Sequence, residues 1–254
     1  MKIMSNAEYH LHPAISKSGL DQIAKSPAHY KLYKNVPRET TDAMEFGTAF
    51  HTYLLEPELF EKQYLVVEGM DKRTKLYKEL VAQNPDKTII SGEALGVLSG
   101  MKAEFGRNST VSRVLDNALV ERSIFWKDAV TGVDCRCRPD IIFGDDILID
   151  LKTTTDAKEY SRSAFKYRAH VQAAMYMAGY FAQTGIRPKE FLFITIEKSA
   201  PFGIITHRAS EEFIARGMKE MNDNLAVYAR CLETDQWPCY PEAIQDLSLP
   251  PWVI

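Results

Sequence analysis

The sequence has few cysteines and no long hydrophobic run. Its 254 residues include only four cysteines, at positions 135, 137, 231 and 239. That number is too small for a disulfide scaffold, and thiols two residues apart on one strand cannot easily bridge, so we expect reduced thiols. No stretch approaches the roughly eighteen apolar residues that span a bilayer, and the N-terminus lacks the apolar core of a signal peptide. These absences predict a soluble cytoplasmic protein without membrane contact.

Positive charge is also scarce. Lys and Arg number 31 against 34 Asp and Glu, which gives a net charge of -3. Any contact with nucleic acid must therefore come from a local basic patch. No repeat, low-complexity run or Gly- and Pro-rich linker marks a boundary, and 45% hydrophobic content is enough for a full core. We therefore expect one domain over residues 1–254.

Helix signals occupy the first half of the chain and return after the middle. N-cap patterns begin short helices at Ser16 or Ser18 and at Ser26, and a capping-box pattern begins a helix that runs from Asp42 to about Leu55. Further helices are expected over 71–83, in two pieces between 91 and 116, and over 159–183 and 210–232.

Strand-like runs cluster between the helical segments. Three runs follow one another with short turns and predict an antiparallel meander, at 119–128, 132–143 and 146–153. Others are expected near 63–69, 88–90, 190–198 and 202–209. Strands, then a helix, then strands predict an α/β fold with a mixed central sheet flanked by helices.

The stretch "RPDIIFGDDILIDLKT" (138–153) places acidic residues among β-branched ones. Side chains alternate along a strand, so Asp150 and Lys152 share one face. If "GDD" (144–146) is a three-residue hairpin loop, counting back along both strands sets Asp140 opposite Asp150, with Cα atoms roughly 5 Å apart. The spacing thus predicts a pair of facing carboxylates beside a lysine.

Two ionised carboxylates this close, on a mostly apolar sheet, require a compensating cation or a shared proton. Oxygen ligands favour Mg²⁺, Mn²⁺ or Ca²⁺ over zinc, and the ammonium of Lys152 could hold a phosphate or orient a water. The pattern therefore favours metal-assisted phosphodiester hydrolysis. The alternative is a carboxylate pair at the solvated end of a hairpin, with Lys152 as a surface counterion.

Two helices supply further candidates. His51 lies one turn after Gly47, and a glycine inside a helix, which costs about 1 kcal/mol relative to alanine, suggests close approach by another group. The imidazole could reach a metal, or it could be a core histidine bonded to a backbone carbonyl. Arg168, Gln172 and Tyr176 recur at i, i+4 and i+8 and line one helix face, which is either functional or merely solvated.

Four motifs occur together in one order: Gly47-x-x-x-His51, Pro139-Asp140, Asp150-x-Lys152 and Gln172-x-x-x-Tyr176. This order resembles that of the RecB-like nucleases of the PD-(D/E)XK superfamily. The segments "YHLHPAISKSGLDQIAKSPAHY" and "LSLPPW" further resemble the RecE-type exonuclease domain. The similarity covers nearly the whole chain, with N-terminal helices over 1–60, the catalytic sheet and long helix over 119–208, and a C-terminal helix and tail over 210–254.

The resemblance implies a PD-(D/E)XK, restriction-endonuclease-like core with a Mg²⁺ site, in which Mn²⁺ would substitute. Its ligands would be His51, Asp140, Asp150 and the carbonyl of Leu151. Lys152 would position or activate the water. The supporting residues would be Gln172 and Tyr176, with Glu121 as an additional acidic residue.

The family also implies 5'-to-3' digestion of double-stranded DNA ends, leaving 3' single strands for a RecT-like annealing protein in phage-type recombination. Relatives form rings around DNA, so a trimer or tetramer is expected. The most basic stretch near the site predicts DNA contacts from Lys158, Arg162, Lys166 and Arg168, although an ordinary solvated helix face would have the same composition.

Two other interpretations stay open. Four cysteines would be compatible with an iron-sulfur nuclease like the CRISPR-associated and AddB enzymes, although such clusters use one upstream cysteine and a downstream triplet, which this spacing lacks. The second alternative is a DNA-end-binding module that keeps the fold without the chemistry. The presence of every expected ligand counts against it.

Overall fold

The computed structural model describes residues 1–36, 40–69 and 73–248. Its helices are α1 (Asn6–Leu11), α2 (Lys17–Lys25), α3 (Pro27–Asn35), α4 (Asp42–Leu55), α5 (Pro57–Gln63), α6 (Lys75–Gln83), α7 (Gly92–Arg107), α8 (Tyr160–Lys166), α9 (Ala169–Thr184) and α10 (Glu211–Thr234). Its strands are β1 (Tyr64–Val67), β2 (Thr88–Ser91), β3 (Leu119–Val120), β4 (Ile124–Lys127), β5 (Asp134–Cys137), β6 (Ile141–Phe143), β7 (Ile147–Thr154), β8 (Glu190–Glu197) and β9 (Ile204–Arg208). Within these ranges no helix is both long and apolar enough to cross a membrane.

The central sheet has five strands in the order β3-β6-β7-β8-β9. The β7 and β8 strands run parallel, and the other neighbours run antiparallel. A crossover through α8 and α9 joins the parallel pair, as parallel strands require. The α/β fold with a mixed sheet between helices, predicted from the alternation of strand and helix patterns, is confirmed.

Both faces of the sheet are buried, because alternate side chains of β7 enter different cores. Ile149 and Leu151 pack with Phe50 of α4 and Met101 of α7. Leu148 points the other way and packs with residues of α8, α9 and β8. Full burial of such side chains contributes about 1.5–3 kcal/mol each. The site-bearing hairpin is therefore fixed from both sides.

The predicted three-strand meander is wrong in one respect. The chain bends after β3 and again between β5 and β6, so β4 and β5 form a separate two-stranded sheet. Glu121 has a φ of 50°, in the left-handed region, which ends β3. Pro139 has no N–H for a ladder hydrogen bond and separates β5 from β6. The bend brings Glu121 beside Asp140.

The predicted helix over 159–183 is two helices. Its interruption falls at Tyr167 and Arg168, and Arg168 has a φ of 53° and a ψ of 41°. Contacts of the Arg168 side chain with α2 and α10 hold this conformation, so a local pattern could not reveal it. Gln172 and Tyr176 remain on α9, whereas Arg168 is its N-terminal cap.

Smaller differences concern the other helices. Residues 109–117 form turns rather than the second helix expected before 116. The N-cap of α4 is Thr41, one residue before the predicted Asp42, and its hydroxyl accepts from the Met44 N–H at 3.3 Å. Helix α6 begins at Lys75, and residues 70–72, where its predicted start lies, fall outside the described residues. The end of the "LSLPPW" segment, from residue 249, also lies outside them.

Candidate active site

The β6–β7 hairpin has the predicted register. Residues 144–146 form the turn, Gly144 takes a φ of 59°, and the paired strands include Ile142 with Leu148. One step beyond the last paired residues, this register sets Asp140 opposite Asp150. Both carboxyl-bearing residues are buried, at 7% and 3% exposure. The facing arrangement predicted from the sequence is confirmed.

Asp140 divides its two oxygens between the sheet and a neighbouring helix. Its Oδ2 accepts a hydrogen bond from the Leu151 N–H at 2.6 Å, which continues the β6–β7 ladder through a side chain. Its Oδ1 lies 3.5 Å from Nδ1 of His51. The carboxylate is thus held firmly on one side and loosely on the other.

His51 reaches the hairpin from α4. Its Nε2 donates to the carbonyl of Leu151 at 3.1 Å, which leaves Nδ1 facing Asp140 and, at 3.9 Å, Oε1 of Glu121. A carbonyl can only accept, so this contact fixes the proton on Nε2. The Leu151 carbonyl, expected as a metal ligand, accepts from His51 in this arrangement.

The glycine one turn before His51 does not have the close protein neighbour that its motif suggests. Among the described residues, a Cβ added to Gly47 would meet only the Thr153 hydroxyl, at 3.7 Å, which is an ordinary van der Waals distance. The described part of the chain therefore does not require a glycine at this position.

Glu121 completes a compact group with His51 and Asp140. Its backbone N–H donates to the Asp140 carbonyl at 3.0 Å, and its left-handed φ turns the side chain out of the ladder. One ligand atom from each of the three residues lies within 4.8 Å of the others. Among the described residues this is the only group of three or more His, Cys, Asp or Glu that could hold a metal ion.

The second carboxylate belongs to a more tightly bonded set. Asp150 Oδ2 lies 2.5 Å from the ammonium of Lys152, and Oδ1 accepts a hydrogen bond from the side-chain amide of Gln172. The Asp150 side chain is only 4% exposed, so the solvated surface pair considered above is not what forms. Tyr176, one turn after Gln172, lines the adjoining cavity.

The electrostatics of the first carboxylate depend on the imidazole. Burial raises the pKa of Asp140, but His51 and Lys152 outweigh it and hold that pKa below its usual range. Burial lowers the pKa of His51, yet Asp140 and Glu121 raise it well above 6.5. Without a metal, a proton on His51 therefore supplies the positive charge that these carboxylates need.

The other side of the site carries its own cation. Burial raises the pKa of Asp150 and prevails over Lys152, which lowers it, because Asp140 also raises it. Burial lowers the pKa of Lys152, but Asp150 and Asp140 together raise it. In the metal-free protein Lys152 is therefore an ammonium near neutral pH, which suits it to hold an anion.

A cavity of about 470 Å³ opens beside these residues. Its walls include His51, Glu121, Asp140 and Tyr176, and the N-terminal residues Ile3 to Asn6 lie along it. Reasoning from sequence missed this N-terminal segment and Arg138, whose Nη1 lies 3.8 Å from Glu121 and 3.1 Å from Oδ1 of Asn6. The only signal for Arg138 was its place directly before Pro139.

The four residues predicted to contact DNA divide into two kinds. Lys158, Arg162 and Lys166 are exposed on the segment that follows β7 in the chain. The Arg168 side chain is only 17% exposed and is bound to Asp21 and to groups of α10, so we remove it from the set of DNA contacts.

The donor set fits a hard divalent cation. Two carboxylates and an imidazole nitrogen converge, and among the described residues the buried Asp150 Oδ2 has only the Lys152 ammonium as its partner. The four cysteines are free, and in the described part of the chain none belongs to a metal-binding group. The iron-sulfur interpretation therefore has no support from the side-chain placement.

A mixed sheet whose hairpin presents Asp140, Asp150 and Lys152 from two adjacent strands is the arrangement of the PD-(D/E)XK class. The family comparison agrees. The model of the PDDEXK-like domain of unknown function (DUF3799) matches residues 16–249, and the chain belongs to that family. The superfamily predicted from the four motifs is thereby confirmed.

The chain is also similar to proteins of known structure. A putative exonuclease from Eubacterium rectale is 12% identical, with a TM-score of 0.69 over 98% of this chain and 96% of that chain. This likeness shows a shared fold. An alkaline exonuclease from Laribacter hongkongensis is 14% identical over 70% of this chain and 97% of that chain. Its TM-score of 0.31 is too low to show a shared fold. A search of curated proteins gave no significant match.

Proposed function

We propose that this protein is a divalent-metal-dependent DNA exonuclease that hydrolyses phosphodiester bonds at the ends of duplex DNA. The observation that carries the proposal is the buried pair of facing residues Asp140 and Asp150, with Lys152 on one side and His51 on the other. Buried carboxylates this close need a cation, and a lysine beside them serves an anionic substrate. The family and the shared fold agree with this activity.

The residues that would hold the ion are Asp140, Glu121, His51 through Nδ1, and Asp150. When bound, the ion would offset charge on the phosphate oxygens and lower the pKa of a coordinated water. We propose Mg²⁺ as the physiological ion, with Mn²⁺ able to substitute, because the donors are mainly carboxylate oxygens.

The protein's own groups have separate roles in this proposal. The ammonium of Lys152, held by Asp150 at 2.5 Å, would donate hydrogen bonds to the attacking water and the scissile phosphate. Gln172 fixes the orientation of Asp150 through its amide. Tyr176 stands in the cavity wall, where its hydroxyl could contact the same phosphate.

Several finer features of the proposal rest on the resemblance to RecE-type exonucleases. They are 5'-to-3' polarity, 3' single-stranded products, a RecT-like annealing partner, a role in phage-type recombination and a ring-shaped trimer or tetramer. The exposed Lys158, Arg162 and Lys166 are the proposed contacts with the DNA backbone, since all three are exposed on the segment that follows β7 in the chain.

The central test uses a linear duplex with Mg²⁺ or with EDTA. The wild type should digest the duplex only with Mg²⁺, and Asp150→Ala should lower the rate on the order of 10³-fold or more. Asp145→Ala is the matched control, because Asp145 is an exposed acidic residue in the turn of the same hairpin. It should cleave like the wild type.

Other outcomes would identify other functions. Equal product in all samples would show a contaminating nuclease and remove the support for this activity. Binding to DNA ends without Mg²⁺-dependent product would leave a non-catalytic end-binding module. Cleavage of a covalently closed circle would make the enzyme an endonuclease, and substrates labelled at the 5' or the 3' end would establish polarity.

A further inference from the structure

Arg168 lies where α8 and α9 meet, in a backbone conformation that residues with a Cβ rarely adopt. Its φ of 53° and ψ of 41° are left-handed. Glycine and asparagine are the residues that usually occupy such positions. A residue of another type keeps this conformation only where its surroundings over-determine it.

The guanidinium of Arg168 joins the start of α9 to two other helices. It donates to the Leu20 carbonyl of α2 at 3.3 Å, and to Glu220 and Asn224 of α10 at 3.2 and 3.0 Å. Asp21 Oδ1 lies 3.4 Å from Nη1. A planar fork with five N–H donors can serve all four of these acceptors, whereas an ammonium has only three N–H donors.

Two further contacts restrain the first turn of α9. Lys17 donates to the Tyr167 carbonyl at 2.6 Å and pairs with Asp21 at 2.7 Å. Gly217 of α10 packs so closely that a Cβ added there would lie 1.9 Å from the carbonyl oxygen of His170. The start of α9 therefore has little freedom to slide or rotate.

This first turn is connected to the site by a short path. The Arg168 carbonyl accepts from the N–H groups of Val171 and Gln172 at 3.1 and 3.2 Å. The Gln172 side chain then donates to Asp150, and both of these residues are buried. Because close-packed groups transmit displacement, a small shift of the first turn would move the Gln172 amide relative to Asp150.

We propose that Arg168 is a positioning residue that acts on Asp150 through Gln172, and not a DNA contact. The inference rests on the proposed nuclease function, which gives Asp150 its role. The guanidinium is engaged by Asp21 and Glu220, which also pair with Lys17 and Arg216, and its side chain is only 17% exposed. A phosphate would have to displace these protein partners to reach it.

The test is a double-mutant cycle. Arg168→Ala and Gln172→Ala should each lower kcat on the order of tenfold, with KM for duplex DNA kept within about twofold. The double variant should be no slower than the slower single variant, because both changes release the same contact with Asp150. Losses that multiply in the double variant would overturn the proposal.

Arg168→Lys keeps the charge and provides a variant with a smaller change in the fold. It should lose as much kcat as Arg168→Ala, and a wild-type kcat in this variant would show that the fork geometry does not matter. Lys166→Ala is the control for a DNA contact, since it should raise KM and weaken the salt dependence of binding. The same two changes in Arg168→Ala would contradict a positioning role.

A second readout separates this inference from the nuclease proposal. Calorimetric titration of the DNA-free protein with Mn²⁺ needs no turnover. Each single variant should weaken Mn²⁺ binding by roughly threefold, and the double variant by no more. A wild type that binds Mn²⁺ but cleaves nothing would defeat the proposed function, while the Mn²⁺ cycle would still decide whether Arg168 acts through Gln172.

Discussion

The two carboxylates of the site have different surroundings. Asp140 faces the cavity with His51 and Glu121, and the side-chain contacts in this group are long: Nδ1 of His51 lies 3.5 Å from Asp140 Oδ1 and 3.9 Å from Glu121 Oε1. Asp150 is enclosed, with Lys152 at 2.5 Å and Gln172 bonded to its other oxygen. The first half has room to exchange a proton for a metal ion. In the second half, Asp150 already has a protein cation beside it, although its Oδ2 accepts no hydrogen bond among the described residues.

This difference predicts which property each substitution will change. Groups in the enclosed half depend on one another for charge balance, so removing one should affect both stability and turnover. Groups in the cavity half carry an excess of negative charge, so changes there should affect cation binding more than folding.

Of the substitutions that compare the two halves, Lys152→Ala should have the largest effect, and it tests the enclosed half. Turnover should fall on the order of 10³-fold, because the water and the phosphate lose their ammonium. The free energy of unfolding should fall by roughly 1–3 kcal/mol, less than for a fully buried pair, because 35% of the Lys152 side chain is exposed. Single-turnover cleavage and urea denaturation measure the two quantities.

Mn²⁺ binding separates this interpretation from a ligand role for the lysine. Lys152→Ala should retain Mn²⁺ affinity within about threefold, since an ammonium is not a ligand. A complete loss of calorimetric binding would contradict the assigned role. Lys158→Ala, an exposed lysine just beyond the strand, is the control and should leave the free energy of unfolding unchanged.

A smaller effect is expected for His51→Gln, which tests the cavity half. It should weaken divalent-ion binding by about ten- to a hundredfold. The wild-type affinity should rise with pH through the raised pKa of His51, because the metal has to displace the proton from Nδ1. The variant should lack this pH dependence, as measured by calorimetry at several pH values.

The pH dependence of stability in the metal-free protein gives an independent check of the charge on His51. Because the pKa of His51 is raised above 6.5 in the folded state, its protonation stabilises the fold fully below about pH 6.5. That contribution is lost as the pH rises through the raised value. An identical pH profile of stability in the wild type and His51→Gln would place the imidazole outside this charge balance.

The smallest effect is expected for Glu121→Gln. Burial and the charge of Asp140 raise the pKa of Glu121, against His51 and Arg138, which lower it. Removing its charge should therefore leave the metal-free stability equal or higher by about 0.5 kcal/mol, while Mn²⁺ affinity falls by roughly three- to tenfold. Thermal denaturation should thus show equal or higher stability, while calorimetry should show weaker Mn²⁺ binding. A loss of stability with unchanged affinity would remove Glu121 from the ligand set.

The sequence predicted the parts of the site that depend on local geometry. A three-residue turn and strand alternation were enough to bring Asp140 opposite Asp150 and to set Lys152 beside it. The four spaced motifs added His51 and Gln172, which come from distant helices. Helix α10 and the strands β8 and β9 followed from ordinary cap and alternation signals.

The features that the sequence did not predict depend on contacts between distant segments. The left-handed residues Glu121 and Arg168 carry no local signal, because partners elsewhere in the chain hold their conformations. Glu121 bends one strand into two, and Arg168 divides one helix into two. For the same reason the sequence predicted a DNA contact for Arg168. A basic stretch does not reveal which of its residues are exposed and which are bound within the fold.

The hydrogen bond from the Leu151 N–H to Asp140 limits how that carboxylate can hold an ion. Oδ2 continues the hydrogen-bond ladder between β6 and β7, and Oδ1 is the oxygen that faces His51 and the cavity. Asp140 would therefore hold an ion mainly through Oδ1. An ion drawn towards Oδ2 would share that oxygen with the Leu151 N–H, so metal binding and the end of the β6–β7 ladder depend on one side chain.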